Sequence, residues 1–339
     1  MRNFSKIITH SLLLVTFVFI LLVASMAPYF YGETYYYQDY RVRKSLSGTL
    51  DTLIIGSSHA LRSVKPTILN EELNIKSYNL SSPLMSMYGR YVLLKKEIER
   101  NPIKTVYIEL SYNALTLNKA NLGLEGDLYL LGRLDNAKER IDFAKKVFTK
   151  DEYKKVFSDT IQRSKAALSE FSSERPEQYE TFGYLPVPSN DKSLTIEEKK
   201  EIFNTESINT TINPENLEYF DNFIEICREH NINIVLIVTP VSESMILKHK
   251  NMDEAFSPYL ELAKKYNLKY YDFNLDKKRT ELYSEKTAFY DTTHLSDSGA
   301  TIFSHRFSEI IKEVNEGNNV SDVFYESYDK LKETIFKTK

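Results

Sequence analysis

The sequence carries one cysteine, Cys227, in 339 residues. No internal disulfide can form, so cysteine usage neither demands nor rules out an oxidising compartment. Only 10 glycines are present. None lies in a G-x-G-x-x-G or Walker pattern, so a backbone cradle for nucleotide phosphates is not expected. H-x-x-x-H, C-x-x-C and clustered-carboxylate patterns are also missing, and neither a metal nor another cofactor is expected. Nor is there a basic run. The 44 Lys and Arg residues are mixed among 47 Asp and Glu for a net charge of −3, which leaves no electrostatic footprint for nucleic acid.

What is present is ordinary globular material, 42% hydrophobic and 27% charged, enough for one large domain or two modest ones. Ahead of it runs IITHSLLLVTFVFILLVASMAPYF, apolar and free of formal charge. That run is long enough to cross a bilayer and makes residues 1–30 a candidate anchor. Arg2 and Lys6 precede it, so the positive-inside rule leaves the N-terminus cytoplasmic and the bulk of the chain outside, a single-pass arrangement. A cleavable signal peptide is the rival reading, with Ser25 and Ala27 as the small residues of a cleavage point and Pro28 as an obstacle to it. The tyrosine-rich YFYGETYYYQDY at 29–40 suits an interfacial aromatic belt or a linker, and residues 31–48 are read as a linker.

Five short segments read as buried strands: DTLIIG at 51–56, KSYNL at 76–80, KTVYIEL at 104–110, INIVLIV at 232–238 and LKYYDF at 268–273. They are β-branched or aromatic and end at turn-forming residues. Helical patterns at 86–100, 215–231, 253–267 and 296–314 alternate with them, the last capped by Ser296 or Asp297. This alternation predicts an α/β domain over 49–316 with a parallel sheet covered on both faces, all strand C-termini lying at one edge. The alternation breaks between about 115 and 213, a helical insertion far longer than an ordinary loop. Within it, LDNAKERIDFAKKVFTKDEYKKVFSDTIQRSKAALSEF reads as two amphipathic helices. FGYLP at 182–186 reads as a lid over the site or as an aromatic-anchored loop. Residues 317–339 are expected to form an amphipathic helix packed on the domain.

Small hydroxyl residues stand where the first strand ends, in GSSHALRS. Ser57 or Ser58 could simply cap a helix. Near the end of the chain FYDTTHLSDSGA places Asp291 and His294 just before the last helix. Nucleophilic catalysis needs a hydroxyl, an imidazole to take its proton and a carboxylate to orient that imidazole. Ser58, His294 and Asp291 offer these types at one sheet edge. A developing oxyanion also needs preorganised donors. Asn113, ending IELSYN, could supply a carboxamide, and the backbone N–H groups of Ser81 and Ser82 in NLSSP could point inward. His59, beside Ser58, could shape the pocket, the plainer reading being a solvent-facing or helix-start residue. His10 and His249 have no partners that suggest function, and His230 and His305 read as surface residues on helices.

GSSH after the first strand, NLSS after the second, ELSYN after the third and DTTHLSDSG before the last helix resemble the four blocks of the SGNH (GDSL-like) hydrolase superfamily. The resemblance covers 51–114 and 232–314. It implies a three-layer α/β/α, flavodoxin-like fold with Ser58 as nucleophile, Asp291 and His294 as acid and base, and an oxyanion hole from Ser58, Ser81 or Ser82, and Asn113. The sequence departs from those blocks: Ser57 replaces the usual Asp, His59 the Leu, a serine the glycine of the second block, and Ala114 follows Asn113. With an N-terminal anchor and a large insertion, the chain looks closest to membrane-anchored acyl-transfer members, similar to DltD-type D-alanylation proteins and exopolysaccharide O-acetyltransferases. That likeness implies a serine esterase or O-acyltransferase acting on an envelope polysaccharide or teichoic-acid-like polymer, with a membrane-bound acyltransferase as partner. A non-catalytic polymer-binding accessory protein for such an acyltransferase is the alternative.

Overall fold

A computed structural model describes Lys6, residues 8–19, Asp39, 42–118, Leu122, 125–131, 133–154, 182–190 and 193–337. The chain divides into two compact units, 1–41 with 128–176 and 42–127 with 177–339.

The second unit is built on five strands: β1 (Thr52–Ile55), β2 (Ser77–Asn79), β3 (Thr105–Glu109), β4 (Asn233–Val238) and β5 (Lys269–Asp272). All pair in parallel, in the order β2-β1-β3-β4-β5, with Leu53 beside Tyr78 and Val106, Ile108 beside Leu236, and Leu236 beside Tyr270. The α/β class and the five-stranded parallel sheet expected from the sequence are therefore what the chain forms. The strands are nearly continuous apolar runs because both faces are covered. Alternation sends Ile54, Tyr107, Val235 and Ile237 to one face. There they join a core with Leu69 of helix α2 (Pro66–Leu73) and Phe303 and Phe307 of helix α7 (Asp297–Asn315). Leu53, Val106, Ile108 and Leu236 point to the other face and are equally buried. Helix α3 (Met87–Arg100) packs on helix α4 (Pro214–Glu229), which also meets β4, and together they bury Leu93, Leu94, Phe220 and Phe223.

The chain runs outward from β1 to β2, then returns to place β3 on the other side of β1. The crevice at such a reversal, outside the strand C-termini, is where open α/β sheets hold ligands. Ser57 and Ser58 follow β1 there, and Ser111–Asn113 follow β3. Helix α5 (Glu243–Lys248) follows β4, and helix α6 (Met252–Tyr266) leads into β5.

Across 113–213 the described residues form no strand, apart from an isolated bridge between Glu206 and His249. Of the two expected insertion helices, Ala137–Val147 is formed, with Asn136 capping Glu139 N. Residues 155–171 of that stretch lie outside the described residues. A further helix, Ile196–Ile202, starts at a capping box between Thr195 and Glu198. The C-terminal helix α8 is shorter than expected, Tyr328–Lys337, and docks by burying Tyr328, Leu331 and Ile335.

In the first unit, residues 8–19 are helical and expose Leu12, Leu13, Leu14, Val15 and Phe19. Residues 20–30 of the candidate anchor lie outside the described residues. Among the described residues no helix is long and apolar enough to cross a membrane. Asp39 and Arg133, both buried, pair at 3.2 Å within this unit.

Candidate active site

The turn after β1 is shaped by a buried carboxylate. A Cβ on Gly56 would lie 2.6 Å from Glu109 Cβ and 2.8 Å from Ala60 Cβ, so only glycine fits between them. Ser57 then adopts an extended conformation and caps the short helix α1 (Ser58–Leu61), its Oγ accepting from His59 N at 3.2 Å. Ser57 also donates twice, through N–H and Oγ–H, to Glu109 Oε2, each at 2.9 Å. Glu109 ends β3 and is fully buried, and its Oε1 has no hydrogen-bond partner. The buried Arg90 of α3 donates to the Glu109 carbonyl. Capping thus falls to Ser57. That makes Ser58 the first helical residue, whose N–H needs no partner within the helix and whose hydroxyl is left for other work.

The opposite wall is the loop before α7. Asp291 Oδ1 accepts from Thr293 N at 2.8 Å, Thr293 Oγ1 at 3.0 Å and His294 N at 2.9 Å, a tight Asx-type turn. The turn swings the His294 ring back onto the same carboxylate, with Nδ1 2.8 Å from Oδ2. Nε2 then lies 2.8 Å from Ser58 Oγ. A carboxylate on Nδ1 holds the proton there and leaves Nε2 free to accept. Burial alone would push the Asp291 carboxyl up, but the hydrogen bond and charge of His294 and the Thr293 contacts outweigh it. The group sits well below the usual carboxylate range. The loop is slung from the end of β4. Ser242 N donates to Thr292 O at 3.0 Å, and the preceding Val241 is held by Asn274 Oδ1 at 2.9 Å and by Arg279 Nη2 at 2.7 Å.

The expected oxyanion donors divide. Asn113 sits in the turn after β3, its Oδ1 accepting from Ser111 Oγ at 3.1 Å, which fixes the carboxamide and leaves Nδ2 as a donor. The expectation for Ser81 and Ser82 is not met. Ser82 N donates to Gly56 O and Ser81 N to Asn79 Oδ1, both at 3.2 Å, and their hydroxyls are sealed and unpartnered. Asn79 explains this, because its Nδ2 reaches Ala60 O at 2.8 Å and Val64 O at 3.0 Å, so the block braces β2 against α1.

The structure also separates the readings of His59 and FGYLP. His59 is a helix-start residue but not solvent-facing. It is 8% exposed, its ring centroid 5.0 Å from that of His294 and 6.1 Å, edge-on, from Tyr112. FGYLP is the aromatic-anchored loop of its two readings, a strap with Tyr184 buried. Phe182 O accepts from Asn79 N on the free side of β2, Leu185 N donates to Leu61 O, and Asn190 N to Phe289 O. Gly183 has φ +89°, and a Cβ there would strike Asn79 O. Tyr184 Oη and Lys65 Nζ meet on Asp297 Oδ1 at 2.9 and 2.8 Å. Glu109 escaped the sequence reading, though a glutamate inside the apolar run VYIEL was a signal, since a carboxylate is buried only where something receives it.

An imidazole held on one side by a carboxylate and on the other by a hydroxyl can draw the hydroxyl proton as that oxygen attacks an electrophile. Among the described residues no group of three or more His, Cys, Asp or Glu could hold a metal ion. The fold and this array define an α/β protein with a Ser–His–Asp relay on the carboxyl rim of a parallel sheet.

By sequence the chain belongs to the DUF1574 family, described as a protein of unknown function, whose profile matches residues 5–303. No curated protein matches it. Among solved structures it is similar to a protein from Desulfitobacterium hafniense assigned to the lipolytic G-D-S-L family. That alignment has 11% identity and a TM-score of 0.39, covering 77% of this chain and 99% of that one. A Bacteroides fragilis protein assigned as an acylhydrolase aligns at 8% identity and a TM-score of 0.38, covering 81% and 95%. The Enterococcus faecalis lipase/acylhydrolase aligns at 13% identity and a TM-score of 0.36, covering 78% and 97%. Likeness at that level carries no argument about chemistry.

Proposed function

We propose that this chain is an SGNH-type serine enzyme, an acyl-ester hydrolase or O-acyltransferase of the cell envelope. The observation that carries the reading is the continuous relay from Ser58 Oγ through His294 to Asp291, with 2.8 Å at each link. Ser58 Oγ attacks the ester carbonyl while its proton passes to His294 Nε2. The tetrahedral oxyanion rests on Ser58 N–H and Asn113 Nδ2. As the intermediate collapses, the C–O bond to the leaving alcohol breaks and His294 returns the proton to that alkoxide. Water or a sugar hydroxyl then attacks the acyl-Ser58 ester by the same path reversed, and Ser58 regains its proton. Asp291 orients His294 and supports its transient positive charge.

An acceptor on an envelope polysaccharide or teichoic-acid-like polymer suits the apolar run at 7–30, which would tether the domain at the outer membrane surface. The helix at 8–19, with its exposed leucines, supports that anchor. A membrane-bound acyltransferase would supply the acyl group. In the full-length protein, a fluorophosphonate should label wild type and not Ser58→Ala of equal secondary structure. Equal labelling of both would refute the assignment.

A second reading, a non-catalytic polymer-binding accessory protein, draws on the spent N–H groups of Ser81 and Ser82, which leave fewer oxyanion donors. Turnover of an acyl ester that depends on Ser58 excludes it.

A further inference from the structure

We infer that His59 is a positioning residue for the acyl acceptor, a second imidazole that holds one hydroxyl of a vicinal diol while the neighbouring hydroxyl attacks. The inference rests on the acyl-transfer reading of the site. His59 N donates to Ser57 Oγ, so the same cap that frees Ser58 fixes the residue beside it. The ring is packed between His294 and Tyr112. The residue as a whole is only 8% exposed, yet neither ring nitrogen is among the polar atoms sealed without a partner, so the polar edge of the ring stays open to a ligand. An imidazole held by packing 5.0 Å from the His294 ring, with its polar edge open, is placed to meet a group on the acceptor.

The chemistry of that group follows from charge. Burial first, then His294, Arg90 and Arg62, push the His59 imidazole down to about 3, against a smaller opposing pull from Asp291. Neutral imidazole offers one donor and one acceptor, which matches a hydroxyl and not a carboxylate or phosphate. The phenol of Tyr112, kept protonated by burial and by Asp291, is a second neutral partner on the same side. The attacking hydroxyl belongs to His294, which takes its proton as the new ester bond forms. The acyl–Oγ bond then breaks, and the proton passes from His294 to Ser58 Oγ. His59 takes no part in the proton count. With its ring 5.0 Å from that of His294, it can hold the adjacent hydroxyl and so set the angle of attack.

The experiment uses full-length protein in detergent with p-nitrophenyl acetate as donor. The ratio of transferred acetyl to free acetate is compared for 1,2-propanediol and 1-propanol at equal concentration. Wild type should favour the diol at least tenfold, His59→Phe should bring the two acceptors within about twofold, and His59→Gln, which keeps a donor and an acceptor, should restore part of the preference. Each ratio is internal to its own variant, so a general loss of rate does not imitate the effect. A diol preference that survives His59→Phe, or is missing in wild type, overturns the inference. Imidazole resonances of His59 in Ser58→Ala protein should also move on titration with the diol and not with 1-propanol. Static resonances overturn the inference, whereas moving resonances in a protein whose wild type lacks Ser58-dependent turnover would retire the enzyme reading and leave His59 as a hydroxyl-binding group.

Discussion

The two walls of the site are made in opposite ways. On the base side, the bonds that aim His294 all lie within Asp291–His294. On the nucleophile side, Ser57 is held by Glu109 across 52 residues and Asn79 reaches Ala60 across 19. The base wall is therefore nearly self-sufficient, a turn that needs only to be hung from β4. The nucleophile wall exists only when β1, β2 and β3 are in register. Damage to the first should cost chemistry and little stability, and damage to the second should cost both.

The largest effect is expected for Asp291→Asn. It preserves the shape of the turn but removes the charge that holds Nδ1–H, and kcat should fall by about 10³–10⁴-fold with a urea midpoint near that of wild type. A large loss of stability would mean that the base wall is not self-sufficient. Asn113→Ala should follow, with kcat down about 10²-fold and KM little changed, as for loss of one oxyanion donor. Glu109→Gln tests the other wall. Both Ser57 donors lose the carboxylate oxygen they share, so stability should drop by about 1–3 kcal/mol, and activity should fall about tenfold with it.

A pH effect separates the buttress behind the base wall from the wall itself. Asp272, buried at the end of β5, accepts from Tyr328 Oη at 2.7 Å and from Asn274 N at 3.0 Å, and Asn274 in turn holds Val241. Burial pushes the Asp272 carboxyl up to about 6, against the pull of those hydrogen bonds. The folded state binds this proton more tightly than the unfolded one, so the contribution is greatest below the usual carboxylate range and is lost as pH rises through 6. The stability of wild type relative to Asp272→Asn should fall by on the order of 1–2 kcal/mol between pH 4 and pH 7, read by urea unfolding at both. The smallest effect is reserved for Ser82→Ala. Its hydroxyl is buried without a partner, so kcat should not change and stability should stay level or rise slightly. A substantial loss of kcat would assign a role in the reaction to the Ser82 hydroxyl, since alanine keeps the N–H.

This contrast also decides what could be read from the sequence. The contact of Asp291 with His294 was legible because their geometry is set within one turn, and the placing of Ser58 and Asn113 at the sheet edge because strand ends announce themselves. The five strands were legible from their apolar, β-branched runs. Glu109, Asn79 and the burial of His59 were not, because each depends on a partner brought in by sheet order and not by spacing. Ser81 and Ser82 misled for the same reason. Position at a strand end suggests a free N–H, whereas Gly56 and the Asn79 side chain had already claimed both.

The strap at 182–190 brings a final consequence. It fastens to Leu61, just past Ser58, and to Phe289, just before Asp291, while also fixing the start of α7 through Asp297. Hydroxyl and imidazole are thus tied by a strut that belongs to neither. Cleaving or lengthening that segment would let the two halves drift apart with every reacting group still in place, so what looks like a surface loop tolerant of change governs the spacing on which reactivity depends.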